Sequence, residues 1–217
     1  MKTRAEIKAI ALNNFKANYW PAVGIVVLYG VILGALSMTG VGLFIAPPIT
    51  VGFYFFTIAL YFGDKENSTL DKMFGVGFAK FGRNLGSLLL EGLLLYAWSL
   101  LFIIPGIIKS FSYAMTPYIL ADCPDVKAVD AITISRRMMK GHKWEFFVFQ
   151  LSFLGWMILS MFTLGLLSVF YVDPYYYASQ AGYYVELKKL CIETGVVTPE
   201  QFAGAPLEEV AVSESYE

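Results

Sequence analysis

The chain has 217 residues, of which 57% are hydrophobic and 15% are charged, and its formal net charge is −1. A soluble domain is typically about 45–50% apolar and about 25% charged, so this composition excludes an ordinary soluble domain and predicts an integral membrane protein. The near-neutral charge gives no indication of a nucleic-acid partner, and two cysteines without CxxC spacing predict neither a metal site nor a disulfide framework.

The first predicted element is an amphipathic helix over residues 1–19. Ile7, Ala11, Phe15 and Tyr19 recur at every fourth position, which places them on one apolar face. We expect this helix to lie at the cytoplasmic membrane surface, with its lysines near anionic headgroups. A plain solvated helix is the alternative interpretation.

Two uncharged apolar runs follow, Ala22 to Met38 and Leu43 to Phe62. At 1.5 Å per residue, each run nearly crosses a hydrocarbon core of about 30 Å. The Pro-Pro pair at 47–48 predicts the far turn between them, since proline disrupts a continuing helix. Gly30 and Gly34 form a GxxxG spacing, which we interpret as close packing within the chain rather than as a dimer contact.

The second unit begins with a polar break over residues 63–82, which predicts a short amphipathic helix. An apolar span over 85–104 leads to Pro105, where we expect the chain to turn back. The return over 106–121 has about 16 residues, against the usual 20 or so for a crossing. It therefore either stops short of full depth or is bent by Pro117.

The third unit opens with a basic amphipathic helix over residues 122–143. A fifth span is predicted over 146–170, a proline turn at 172–174, and a return over 175–190. The final stretch, 191–217, holds six Glu and no Lys or Arg, and this composition predicts a disordered acidic tail.

The chain thus divides into three hairpin repeats, at about 1–62, 63–121 and 122–190. This predicts an all-α polytopic membrane protein with about six transmembrane helices, arranged as three proline-turn hairpins with cytoplasmic amphipathic helices. Such a topology puts all of the sixteen Lys and Arg except Lys109 on one side. By the positive-inside rule that side is cytoplasmic, and so are both termini. The short return over 106–121 leaves four or five crossings as alternatives.

The basic residues beside these hairpins are the candidate sites for a lipid headgroup or a partner protein. They are Lys80, Arg83, Arg136, Arg137, Lys140, His142 and Lys143. Each cation near an anionic membrane surface contributes about 1 kcal/mol; a pure topology signal is the alternative. His142 is the only histidine and has no partner at a catalytic or metal-binding spacing, so its lysine neighbours favour a headgroup contact.

Three ionisable residues, Glu91, Lys109 and Asp173, lie within or beside the apolar runs. Intramembrane ionisable groups are costly and often mark ion or substrate paths, although Glu91 is also within reach of Arg83 or Lys80 at the inner boundary. In ideal helices Glu91 lies about 15 Å deeper than Lys109. Lys109 and Asp173 both flank outer turns, and we therefore predict that these two residues interact.

The stretch from Pro105 to Asp122 resembles a family of bacterial integral membrane proteins defined by a domain of unknown function, DUF975. Ser135 to Lys143 and Phe153 to Trp156 continue the resemblance, which extends over roughly residues 1–190. The plan is more distantly similar to the membrane domain of some glycerophosphodiester phosphodiesterases. This sequence has no phosphodiesterase barrel, so the resemblance implies a cytoplasmic-membrane location but no established reaction.

Phosphate-binding, zinc-protease, serine-hydrolase and paired-carboxylate motifs are missing from the sequence. We therefore expect a non-enzymatic protein without catalytic residues, metal or cofactor. The leading expectation is a scaffold in the bacterial cytoplasmic membrane that contacts anionic lipids, a membrane-protein partner or a second copy through a basic inner face. The alternative is a small transporter or permeation pathway that uses Glu91, Lys109 and Asp173; a membrane-embedded enzyme is disfavoured.

Overall fold

The computed structural model describes residues 1–101, 103–205 and 207, and this part of the chain is helical with no strand. The helices are α1 (Arg4–Ala17), α2 (Tyr19–Ser37), α3 (Gly42–Phe62), α4 (Leu70–Ala79), α5 (Phe81–Leu101), α6 (Ile103–Tyr113), α7 (Thr116–Asp122), α8 (Ala128–Met138), α9 (Lys143–Leu151), α10 (Leu154–Phe162), α11 (Asp173–Glu193) and α12 (Pro199–Phe202). A π-helical segment, Ser168–Val172, precedes α11. The all-α prediction is confirmed.

Three helical stretches in this part of the chain are long and apolar enough to cross a membrane. They are Tyr19–Ser37, Gly42–Phe62 and the consecutive helices α9 and α10, which together cover Lys143–Phe162. Each has 19 to 21 residues, close to the length that a bilayer core requires. The predicted membrane class thus agrees with the length and composition of these helices.

The prolines expected at the far turns all lie inside helices. Pro105 is in the first turn of α6, Pro174 is in the first turn of α11, and the pair at 47–48 lies farther inside α3. A helix tolerates proline in its first turn because the missing N–H would have no intrahelical partner there. Pro105 and Pro174 therefore belong to helix starts rather than to turns, while the pair at 47–48 lies within α3.

Helices end before the proline pair at 47–48 and before Pro174. α2 ends at Ser37, and α3 begins at Gly42. After α10, Leu164 and Gly165 adopt left-handed φ angles of 53° and 82°, a conformation that suits glycine and strains leucine. The turn predicted at 172–174 is wrong, because that stretch passes directly from the π-helical segment into α11.

The segment predicted as one return helix over 106–121 is two helices. α6 ends at Tyr113, and α7 begins at Thr116 with Pro117 in its first turn. α6 packs on α5, where Gly106 lies so close to Ser99 that a side chain at Gly106 would contact it. The bend at Pro117, which the sequence left open, is therefore present.

The apolar face predicted for α1 is confirmed, but protein covers it. Ile7, Ala11 and Phe15 are fully buried, and Ile7 packs on Gly182 of α11. Beyond this face, Lys2 forms an ion pair with Glu186 of α11 at 3.0 Å. The expectation that this face lies on the membrane surface is thus corrected, because α11 occupies it.

The short amphipathic helix predicted within residues 63–82 is α4. The Thr69 hydroxyl accepts a hydrogen bond from the Lys72 N–H and caps the helix. The close helix packing predicted for Gly30 and Gly34 is wrong, since a Cβ at either position would meet nothing within 4 Å among the described residues.

The first part of the predicted acidic tail, from residue 191 to Phe202, is folded. α11 continues to Glu193, and α12 follows with a capping box formed by Thr198 and Gln201. Phe202 is buried, and the Lys188 ammonium lies 4.6 Å from the centre of its ring. Residues up to 205 are therefore ordered, while residues 206 and 208–217 of the predicted tail lie outside the described part of the chain.

Candidate functional site

The basic segment predicted as a candidate site is the end of α8 and the loop that follows. Arg136 and Lys140 are exposed, while Met138 and Met139 between them are buried. Cations in the last turn of a helix are stabilised by its dipole. The local sequence thus buries one side of this segment and presents its cations on the other.

Ser135 attaches this segment to the rest of the protein. Its hydroxyl donates a hydrogen bond to the Ser112 carbonyl at 2.9 Å and accepts one from the Met115 N–H at 3.2 Å. Ser135 is fully buried at the junction between α6 and α7. The adjacent Arg136 is consequently held in a defined position, and no sequence pattern indicated this anchor.

Lys143 and Trp144 line a cavity of about 320 Å³ beside α6. Its other lining residues are Ile107, Ile108, Phe111 and Phe147. The Trp144 side chain is 74% exposed, which suits an aromatic ring at a lipid–water boundary. A cation and an exposed indole beside an apolar surface form an arrangement that can accept a lipid headgroup together with part of its chain.

Lys109 belongs to the same basic cluster. Arg136 and Lys143 are close enough to exert electrostatic repulsion on its ammonium group. Three like charges in one region are unfavourable unless an anion or solvent compensates them. The sequence analysis separated Lys109 from the other cations, whereas the structure brings it to Arg136 and Lys143.

The predicted contact between Lys109 and Asp173 is wrong. The Lys109 ammonium lies 4.5 Å from the centre of the Trp98 ring, and Asp173 accepts a hydrogen bond from the Ser168 hydroxyl at 2.7 Å. The prediction assumed that Lys109 and Asp173 both flank outer turns, but Asp173 is the first residue of α11 and directly follows the π-helical segment, so it does not flank a turn.

Lys80 and Arg83, two further predicted headgroup contacts, already have protein partners. Lys80 forms an ion pair with Asp125 at 2.9 Å. The Arg83 guanidinium donates to the carbonyls of Leu120 and Cys123, at 2.6 and 2.9 Å, and to two others in the same segment. Burial lowers the pKa of Arg83 below its usual value. This geometry favours a structural role, in which Arg83 holds the end of α7.

The remaining predicted contacts are Arg137 and His142. Arg137 is half-buried and interacts within the protein. The His142 Nδ1 lies 3.3 Å from a carboxylate oxygen of Glu145, and the Tyr183 hydroxyl donates to the His142 carbonyl at 3.4 Å. The two exposed cations, Arg136 and Lys140, are therefore more available to a ligand than these residues.

Glu91 lies on α5 close to Thr116 of α7. One carboxylate oxygen of Glu91 and the Thr116 hydroxyl are buried, and neither has a hydrogen-bond partner by standard geometry among the described residues. The alternative contacts of Glu91 with Arg83 or Lys80 are not formed, because both cations have other partners. A buried carboxylate oxygen without a hydrogen-bond partner is costly and marks Glu91 as a polar site inside the apolar region.

The sequence analysis missed a second set of polar side chains, which lies along one face of α11. Tyr176, Gln180, Tyr184 and Lys188 recur at every fourth position and share one face of α11. Gln180 donates to the Tyr176 hydroxyl at 2.7 Å. Asp122 accepts from Tyr184 at 2.9 Å and from Lys188 at 2.6 Å. The four-residue spacing in the sequence was the available signal for this stripe.

The described residues offer no group of three or more His, Cys, Asp or Glu that could hold a metal ion. Cys123 and Cys191 are free and buried. The chemistry that the structure assembles is therefore a cluster of cations beside exposed aromatic and aliphatic side chains, together with buried hydroxyl and carboxyl groups.

Fold and site together define an all-helical protein with three helices that are able to cross a membrane and a basic cluster beside them. Residues 100–191 match the family model described as "Protein of unknown function (DUF975)", and this match supports the predicted resemblance to DUF975. The matched region contains the basic segment after α8. No curated protein and no solved structure matches the chain, and the distant similarity to the phosphodiesterase membrane domain is not confirmed.

Proposed function

We propose that this chain is a multi-pass protein of the bacterial cytoplasmic membrane that contacts anionic lipid or a partner protein through a basic inner face. Its helix pairs make about six crossings, and both termini lie in the cytoplasm. It acts without a reaction of its own, as a scaffold that interacts with lipids or modulates a partner, which includes a second copy of the chain.

The distribution of exposed apolar side chains supports the membrane location. The sequence contains three long uncharged stretches, at 17–62, 92–108 and 146–172. Most of the large apolar side chains that are exposed belong to these stretches; Met38 is 90% exposed and Leu164 is 95% exposed. Contiguous apolar surface of this kind marks contact with another apolar phase, and lipid is the phase that matches three helices of membrane-spanning length.

The basic cluster is the observation that carries the functional proposal. Arg136 and Lys143 both repel the Lys109 ammonium group, and Trp144, next to Lys143 in the sequence, is exposed. The phosphate of an anionic lipid would relieve this repulsion, while its chain would cover the apolar cavity next to Lys143. The same features suit an acidic segment of a partner protein, which the experiment below distinguishes from lipid.

Native mass spectrometry of the full chain in mild detergent tests this proposal. The number of phosphatidylglycerol molecules retained is compared with the number of phosphatidylcholine molecules. Since each cation near an anionic surface contributes about 1 kcal/mol, the double variant Arg136→Gln/Lys140→Gln should weaken phosphatidylglycerol retention by about 30-fold. The control Lys72→Gln/Lys127→Gln removes the same charge from exposed positions elsewhere. Equal retention in both variants would refute a lipid site at α8. A partner protein would then remain as the proposed ligand of the basic cluster.

Cysteine labelling tests the topology. In a variant without Cys123 and Cys191, single cysteines replace Gly40 in the α2–α3 connection or Lys140 after α8. A membrane-impermeant maleimide should label position 40 in intact cells and position 140 only after permeabilisation. If both positions react from the same side, the six-crossing arrangement is wrong.

A small transporter or permeation pathway is the second candidate, and the unpartnered carboxylate oxygen of Glu91 favours it. Lys109 and Asp173 would contribute separately, because the structure does not bring them together. Proton flux into proteoliposomes, followed with an entrapped pH-sensitive dye, should then be abolished by Glu91→Gln and unchanged by Glu66→Gln on an exposed loop. Absence of flux in the unaltered protein would remove this alternative for protons.

A further inference from the structure

A second basic and apolar surface lies far from α8 in the sequence, where α1 turns into α2. It is a groove of about 760 Å³ enclosed by this turn, the second half of α3 and the start of α4. Ile25, Phe56 and Leu60 contribute its apolar wall, and Trp20 lines it with a side chain that is 73% exposed. The volume is within the range of ligand pockets, about 300–1,000 Å³.

The charges at this groove have one sign. Its charged lining residues are Lys16 and Lys65, and no carboxylate is among the described residues that line it. Both lysines are exposed, and neither takes part in an ion pair within the described part of the chain. Two uncompensated cations beside an apolar groove are complementary to a molecule with an anionic head and an apolar chain.

The start of α4 forms part of this groove. Ser68, Thr69 and Leu70 line it, and α4 begins at Leu70. An indole such as that of Trp20 is characteristic of the depth at which lipid headgroups meet their chains.

We propose that this groove binds one anionic glycerophospholipid of the inner leaflet. Its phosphate lies between Lys16 and Lys65, and one acyl chain follows Ile25, Phe56 and Leu60. This inference rests on the proposed function in one respect, namely that this end of the protein faces the cytoplasm. It adds a defined lipid site that is separate from the cluster at Arg136 and Lys143.

The lysines are tested by native mass spectrometry of the full chain with added phosphatidylglycerol or phosphatidylcholine. Lys16→Gln/Lys65→Gln should reduce phosphatidylglycerol retention by about tenfold or more, since it removes two cations from one phosphate, and should leave phosphatidylcholine retention unchanged. The control is Lys72→Gln/Lys127→Gln, which has the same net charge. An equal loss in the control would show a general surface-charge effect and overturn the proposal.

The apolar wall is tested by filling the groove. Gly24 of α2 lines it, and a Cβ at Gly24 would meet nothing within 4 Å, so Gly24→Leu should fold while occupying the space of the acyl chain. Gly30, on the same helix and equally unobstructed, does not line the groove and provides the control Gly30→Leu. Unaltered phosphatidylglycerol retention in Gly24→Leu would overturn the proposal; thermal unfolding checks that both variants fold.

The two lipid sites can fail independently. If the Lys16/Lys65 variant loses phosphatidylglycerol while the Arg136/Lys140 variant keeps it, the groove is supported and the site at α8 is not. If only the Arg136/Lys140 variant loses lipid, the groove proposal is overturned and the proposed function stands.

Discussion

Gly77 of α4 lies directly against the backbone carbonyl of Pro48 in α3, so that a Cβ at Gly77 would collide with the Pro48 oxygen. Gly52, one turn further along α3, faces the Met73 carbonyl of α4 in the same manner. The absence of side chains at both glycines lets the two backbones approach closely. This contact fixes α4, whose start forms one side of the groove at Lys65.

Substitution of Gly77 by alanine should therefore destabilise the protein by about 1–3 kcal/mol, because the added methyl group must displace backbone rather than a flexible side chain. Gly75 of the same helix is the matched control, since a Cβ there meets nothing within 4 Å. Gly75→Ala should be neutral or stabilise by up to about 1 kcal/mol through helix propensity. Thermal unfolding in detergent measures both, and equal midpoints for the two variants would contradict the close contact.

Arg83 and Lys80 provide a second matched pair. Arg83 donates to several carbonyls between Leu120 and Val126, and the single ammonium group of lysine cannot reproduce this fork. Arg83→Lys should cost about 2 kcal/mol or more. Lys80→Gln breaks only an exposed ion pair with Asp125, which is worth about 0–1 kcal/mol. If the two variants unfold at the same temperature, Arg83 does not hold the end of α7.

The Cys123 thiol should react slowly in the folded protein. Burial raises its pKa above the usual value, and the nearby Lys188 ammonium opposes this only in part. As the pH rises past the thiol's ordinary pKa, of about 8.5, the unfolded state loses its proton first, so stability falls with increasing pH in this range. In Cys191→Ala, alkylation by iodoacetamide should stay slow at pH 8.5 and become fast on denaturation. Rapid alkylation of the folded protein would contradict the burial of this thiol.

Sequence patterns predicted those features that depend on local periodicity. The spacing of Ile7, Ala11 and Phe15 identified the buried face of α1, and the uncharged run from Leu43 to Phe62 nearly coincides with α3. Pro174 was predicted to belong to the turn at 172–174, whereas it lies in the first turn of α11. Because proline is also tolerated in the first turn of a helix, its presence alone does not distinguish a helix start from a turn.

Contacts between distant elements could not be predicted in this way. Nothing local to Gly52 or Gly77 indicates that they face one another, because that depends on the crossing of α3 and α4. The basic groove likewise depends on Lys16 and Lys65, which are distant in the sequence but line the same groove. Lys109 was paired with Asp173 because both were expected beside outer turns, but Asp173 begins α11 directly after the π-helical segment.

Double-mutant cycles in the full chain decide which partner Lys109 has. A cation over an indole ring contributes about 0.5–1 kcal/mol at an exposed site, so the cycle Lys109→Gln with Trp98→Leu should give a coupling energy of this size. The cycle Lys109→Gln with Asp173→Asn should give no coupling beyond the usual additivity error of about 0.5 kcal/mol, because Asp173 bonds to Ser168 instead. Both are measured as free energies of unfolding in detergent. Strong coupling to Asp173 and none to Trp98 would restore the outer-turn pairing and separate Lys109 from the basic cluster, which would remove the main support for a headgroup site at Lys143.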